Sequence, residues 1–157
     1  MAITVYLSIF FLALYIIGII IKRVVFRRDR QRMEEESRVG GRVIAKVDEV
    51  RPGSVKKFWL ICQKYRIDAF LVNDRGNFFA YVNRCRHVGI SLDWVDNQFF
   101  TEDGRYLICA NHGALYEPAT GECVWGPCTG ASLYRVPLQI KDGKIFARCP
   151  ESNQPAD

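Results

Sequence analysis

Two short motifs in this 157-residue chain each pair a cysteine with a histidine: Cys85-Arg86-His87 and, twenty-one residues on, Cys109-Ala110-Asn111-His112. Between them they use both histidines the chain contains. Each is followed by small residues, Gly89 in the first case and Gly113-Ala114 in the second, which let a backbone turn tightly around a bound group. One soft thiolate and one imidazole per loop make the donor set of a mixed Cys₂His₂ metal centre. Structural zinc also uses Cys₂His₂, but zinc fingers usually present Cys–Cys and His–His pairs on a small ββα unit. Here each loop mixes its ligands within a region long enough to fold unaided. Without a metal, these would be ordinary buried cysteines and surface histidines, and chance would have to pair both histidines with cysteines and back each pair with glycine.

The elements that must position these loops read as β-strands. Beyond Gly40-Gly41 the segments Arg42–Val47, Val55–Cys62, Arg66–Val72 and Asn77–Val82 are rich in aromatic and branched residues. Later candidates are Tyr106–Ala110, Leu133–Ile140 and Lys144–Arg148, the last two joined across Asp142-Gly143. Short strands separated by Gly- and Asp-containing turns predict an all-β antiparallel sandwich or barrel. The first ligand pair then falls in a loop after one strand and the second at the end of another. Residues 150–157 are polar and aperiodic, a frayed tail.

The N-terminal part differs in kind. Ala2–Ile21 has no charged residue and is about the length needed to cross the hydrocarbon core as one helix. It lacks the positive leader and cleavage site of a secretory signal. Residues 1–21 are therefore expected to be a single transmembrane α-helix, 22–40 a basic-then-acidic linker, and 41–149 the β domain. Lys22, Arg23, Arg27, Arg28, Arg30 and Arg32 against Asp29 account for a charge of +5, the net charge of the whole chain. From Val39 onward fifteen basic residues face thirteen acidic ones, so the β domain has no positive stripe of the kind a nucleic-acid reader needs. A basic flank beside the anchor predicts a single-pass membrane protein with its β domain on the cytoplasmic side.

Cys85-x-His87-x-Gly89 with Leu92, followed by Cys109-x-x-His112-Gly113, resembles the two ligand loops of Rieske proteins. The likeness extends to Pro118-Ala119-Thr120-Gly121 and to Gly126-Pro127 with Leu133, which match the family's proline loop, and it spans about Arg42 to Arg148. It implies one [2Fe–2S] cluster, with Cys85 and Cys109 on one iron and His87 and His112 on the other. It also implies a Rieske-like fold with a two-loop cluster-binding subdomain. Rieske subunits of quinol-oxidising cytochrome bc complexes carry an additional cysteine in each ligand loop, joined as a disulfide. Those positions here are Ile90 and Asn111. Their serine two residues after the second histidine is Ala114 here, whereas Tyr116 matches the high-potential type.

On that resemblance, two ferric ions, two sulfides and two thiolates sum to zero charge, and one electron brings it only to −1. Histidine ligation thereby raises the potential into a range of about −150 to +300 mV. Without the serine hydroxyl the potential is expected in its lower half, although Arg84 and Arg86 favour the reduced form. The expected function is membrane-anchored one-electron transfer to a redox partner such as an oxygenase or desaturase, with no catalytic residue of its own. The alternatives are a Rieske subunit of a quinol-oxidising complex and a non-redox zinc module. An oxygenase would need a further histidine–carboxylate iron site, for which no histidine is left. Of the remaining cysteines, Cys123 and Cys128 read as two reduced thiols in a tight turn, with a local disulfide or a thiol near the cluster as the alternative. Cys62 and Cys149 read as core thiols, and Trp94 and Trp125 as packing residues with docking as the alternative.

Overall fold

The computed structural model describes residues 2–94 and 98–150, with side chains from Ala13 onward except Arg38. The sequence-predicted tail falls almost wholly outside them. The chain divides into two compact units, residues 1–39 and 40–157.

The first unit is one helix, α1, Ala2–Val39. It runs through the whole expected linker, where Arg32 meets Glu36 one turn on at 3.9 Å and Arg30 lies over the Phe26 ring. Gly40, with φ of +71°, takes the left-handed conformation that ends it. Among the described residues no helix is long and apolar enough to cross a membrane. Of the expected anchor, Ala13–Ile21 has described side chains, and Lys22-Arg23 follow it. The side chains of residues 2–12, on which the rest of the expected anchor falls, lie outside the described ones. The single-pass membrane localisation with a cytoplasmic β domain is corrected on this finding.

The described residues of the second unit form nine strands in three antiparallel sheets: β1 (Arg42–Lys46), β2 (Ser54–Cys62), β3 (Tyr65–Asp74), β4 (Asn77–Val82), β5 (Leu107–Ile108), β6 (Leu115–Tyr116), β7 (Cys123–Trp125), β8 (Leu138–Lys141) and β9 (Lys144–Ala147). The sheet orders are β1-β9-β8, β2-β3-β4 and β5-β6-β7. Strand β3 explains how they combine. Side chains alternate across a strand, and five consecutive residues from Ala69 to Asn73 are all buried. Phe70 and Val72 enter one core with Tyr81, Leu92, Phe99 and Tyr116, while Ala69 and Leu71 enter a second with Ala45, Leu60 and Ile145. The β2-β3-β4 sheet therefore lies between two cores, the first of which contains the predicted cysteine ligands. Arg75-Gly76, both at positive φ, close the β3–β4 hairpin as a two-residue turn.

The segment expected as one strand over Leu133–Ile140 is two pieces. Tyr134 and Val136 bond the β4 backbone at Val82 and Ala80, and strand β8 begins only after Pro137, which has no N–H to donate. Cys62 and Cys149, expected as separate core thiols, form a disulfide that joins the end of β2 to the chain just beyond β9. Such a bond persists mainly in oxidising compartments, which also opposes the cytoplasmic placement.

Candidate metal centre

The two cysteine–histidine motifs fold into matching loops. In the first, after β4, Cys85 N–H donates to Ile90 C=O at 2.6 Å and Gly89 N–H donates back to Cys85 C=O at 2.9 Å. In the second, between β5 and β6, Cys109 N–H donates to Ala114 C=O and Gly113 N–H to Cys109 C=O, both at 2.9 Å. Gly89 and Gly113 have φ of +72° and +69°, and a Cβ at Gly89 would lie 3.0 Å from Arg84 Nε. Both positions demand glycine for backbone reasons. Ala110 N–H donates to Leu92 C=O and ties the loops together. The return of the first loop is held by Asn83, which accepts from Leu92 N–H and donates to Asp93, itself paired with Lys57 at 2.9 Å.

These loops bring all four predicted side chains together as two like pairs. Cys85 and Cys109 are buried, and each thiol affects the ionisation of the other. His87 and His112 are exposed, with Nδ1 atoms 3.2 Å apart and rings at 76°. Among the described residues no group of three His, Cys, Asp or Glu side chains could hold a single metal ion. A pair of thiols beside a pair of imidazoles suits a two-iron centre, in which each iron takes two protein ligands and sulfide supplies the rest. The donor set thus fits a [2Fe–2S] cluster better than one tetrahedral zinc.

The sulfur side is wired to the protein by hydrogen bonds. Tyr116, fully buried on β6, places its hydroxyl 3.2 Å from Cys85 Sγ, where it accepts from Arg86 N–H at 3.1 Å. Burial raises the Cys85 thiol, but bonds from Tyr116 and from the His87 and Val88 amides outweigh it, and the thiol ends below its usual value. Burial holds Cys109 above its usual value, despite the Asn111 and His112 amides. Burial also pushes the Tyr116 hydroxyl far up, so it remains protonated and available as a donor. Arg86 lies over the Tyr134 ring at 4.1 Å, and its buried Nε finds no hydrogen-bond partner among the described residues.

A third loop, after β7, closes the site from the side. Gly126 has φ of +110°, and a Cβ there would lie 2.9 Å from Ala114 Cα, so Gly126-Pro127 packs directly on the second ligand loop. Cys123 and Cys128 flank this turn as free thiols with sulfurs 2.9 Å apart. Cys128 Sγ is also 3.0 Å from the Tyr116 hydroxyl. The sequence offers a thiol near the cluster as one reading of this pair, but the contact with Tyr116 is not legible in it. Burial, followed by the neighbouring Cys128, pushes the Cys123 thiol up to about 12. Trp94 and Trp125 are 69% and 62% exposed, which corrects the packing role expected for them.

Residues 42–145 match the Rieske [2Fe-2S] domain family. The chain belongs to that family. It is 29% identical over 108 residues, 69% of this chain, to the 3-phenylpropionate/cinnamic acid dioxygenase ferredoxin subunit of Photorhabdus laumondii, covering 93% of that protein. It is 27% identical over 92 residues to the menaquinol:cytochrome c reductase iron-sulfur subunit of Geobacillus thermodenitrificans, covering 59% of this chain and 52% of that one. Among solved structures, the ferredoxin of carbazole 1,9a-dioxygenase from Nocardioides aromaticivorans superposes with a TM-score of 0.55 at 20% identity, over 71% of this chain and 98% of that one. As a Rieske protein the chain carries one [2Fe–2S] cluster, and the antiparallel β architecture is the Rieske fold.

Proposed function

We propose that this Rieske protein is a one-electron carrier of ferredoxin type whose partner is an oxygenase or desaturase component. In this reading Cys85 and Cys109 hold one iron and His87 and His112 the other. The observation that carries it is the polarity of the four side chains: both thiols are buried and both imidazoles are exposed. When bound, the cluster supplies reversible one-electron chemistry at moderate potential. The chain's residues do the rest. Tyr116 and the loop amides direct donors at the sulfur side, where they favour the extra negative charge of the reduced form. His87 and His112 bring the other side to solvent, with Val88 and Ile90 exposed in the same loop. A redox protein can approach there without displacing any buried group. The ferredoxin subunit from Photorhabdus, matched over nearly its whole length, supports the ferredoxin type and an oxygenase-class partner.

A quinol-oxidising subunit is the second reading, favoured by the likeness to the Geobacillus protein. The residues weigh against it, since Ile90 and Asn111 leave the ligand loops without a disulfide and Ala114 offers no hydroxyl. Electron paramagnetic resonance of the dithionite-reduced full chain tests the assignment. A Rieske-type spectrum is expected, lost in His87→Ala and His112→Ala. A silent sample containing zinc would overturn it, and a strongly positive midpoint potential would favour the quinol reading.

A further inference from the structure

We infer that Cys123 and Cys128 form a reversible dithiol–disulfide couple whose state is passed to the cluster through the Tyr116 hydroxyl. The inference rests on the cluster assignment proposed above. Three distances carry it: Cys123 Sγ to Cys128 Sγ 2.9 Å, Cys128 Sγ to Tyr116 Oη 3.0 Å, and Tyr116 Oη to Cys85 Sγ 3.2 Å. A disulfide needs sulfurs about 2.05 Å apart, so bond formation asks for a movement of under about 1 Å. The turn is built to allow it. Gly126 and Gly130 take positive φ, and Thr129 and Gly130 N–H bond Gly126 and Cys123 C=O, which keeps the two cysteines at the mouth of one closed loop.

The chemistry is thiol–disulfide exchange with a low-molecular-weight disulfide as oxidant. Cys128 keeps 7% of its surface exposed while Cys123 is fully buried, so Cys128 meets the reagent first. Cys128 attacks one sulfur of the reagent, the reagent's S–S bond breaks, and the leaving thiolate takes up the Cys128 proton. Cys123 then attacks the Cys128 sulfur of the mixed disulfide and expels the second reagent thiol, which takes the Cys123 proton. Two protein thiols and one small disulfide become one protein disulfide and two small thiols.

Tyr116 connects this couple to the cluster ligand. With Cys128 as a thiol, its S–H donates to the Tyr116 oxygen and the Tyr116 proton points to the Cys85 sulfur. Hydrogen bonds in such a chain strengthen one another by roughly 10–30% each. The disulfide has no S–H to donate, so the Tyr116 hydroxyl loses the donor that strengthens its own bond to Cys85. The bond to the reduced, more negative form of the cluster is weakened, so its midpoint potential falls.

The test uses the full-length, cluster-loaded protein equilibrated across ratios of oxidised to reduced glutathione. Mass spectrometry after alkylation is expected to show loss of both thiols in the peptide holding Cys123 and Cys128, with recovery in reduced glutathione. In the same samples, freed of glutathione and poised at one solution potential, the ratio of reduced to oxidised cluster is expected to fall by up to about twofold. That equals about 18 mV at 59 mV per tenfold for one electron. Cys128→Ala, and independently Cys123→Ser, should abolish the glutathione-dependent shift. An intact Rieske spectrum with both thiols still alkylatable at every ratio overturns the couple. A disulfide with an unmoved potential overturns the coupling. If the Rieske spectrum itself is absent, the cluster assignment has failed instead, and the alkylation pattern still decides whether the couple exists.

Discussion

Tyr116→Phe isolates one hydroxyl. The ring is fully buried among β-strand side chains, and phenylalanine keeps that packing while removing the group 3.2 Å from Cys85 Sγ. A hydrogen bond to a charged acceptor contributes about 1.5–3 kcal/mol. Both oxidation states of the cluster accept it, so only the difference between them moves the potential. Because one extra charge is shared over two irons, two sulfides and the ligands, we take roughly a third to a half of that range. The resulting value of about 0.5–1.5 kcal/mol corresponds to a fall of roughly 20–60 mV for one electron, at 59 mV per 1.4 kcal/mol. Arg86 N–H loses its acceptor at the same time, which costs about 1–3 kcal/mol of stability. A redox titration followed by paramagnetic resonance, with a thermal melt of the same sample, measures both. A potential that rises, or stays within a few millivolts of the parent while the melt shows a folded protein, would refute the reasoning. The Tyr116 proton would then belong to Cys128 and not to Cys85.

Other perturbations read different parts of the architecture. Burial tends to raise the Asp93 carboxyl, but Lys57 and Asn83 outweigh it and hold it below the usual value. Its contribution to stability is thus complete above the unfolded value of about 3.9 and lost as pH falls through the lower folded value. Asp93→Asn should flatten the acid limb of a denaturation-against-pH curve, and an unchanged limb would show that other carboxylates dominate it. Gly126→Ala combines positive φ with a clash against the Ala114 backbone, whereas Gly130→Ala meets only the φ penalty. The first should lose about 1–3 kcal/mol, seen as a melting temperature several degrees below that of the second. Removing the Cys62–Cys149 bond, with 87 residues of separation, in the Cys62→Ser/Cys149→Ser double variant should cost about 2–5 kcal/mol by chemical denaturation.

What can be read from the chain follows from how local each signal is. The ligand motifs are contained within three and four residues, and their glycines announce the turns, so the pairs are legible without any fold. Strands β2 to β4 are long enough for their apolar content to register. Strands β6 and β7 are two and three residues long and carry no period, so nothing in the sequence marks them. Cys62 and Cys149 come together only because β2 and β9 end near each other, which spacing cannot reveal. Residue type suggests packing roles for Trp94 and Trp125, yet type alone does not say which face of a loop a side chain takes. The uncharged N-terminal run matches a membrane span in length, but among the described residues no helix is long and apolar enough to cross a membrane.

The arrangement of the four predicted ligands separates two tasks that an electron carrier must perform. On the sulfur side the neighbours are buried and hydrogen-bonded: Tyr116, Cys128 and the amides after each cysteine. Changes there alter which charge state the site prefers, because in a low-dielectric surrounding a single donor is worth far more than in water. On the imidazole side His87, Val88 and Ile90 face solvent, where charges are screened and individual bonds contribute little. Changes there alter what can approach, with small effect on preference. One β-strand, β6, is the hinge of this division, since Leu115 and Tyr116 lie immediately after the second ligand loop and alternate across the strand. Tyr116 thus belongs to the tuning side by position as well as by its bonds. The absence of a hydroxyl at Ala114 leaves Tyr116 as the side-chain oxygen donor seen at the ligand sulfurs among the described residues. This is why the state of Cys128 matters to the cluster at all.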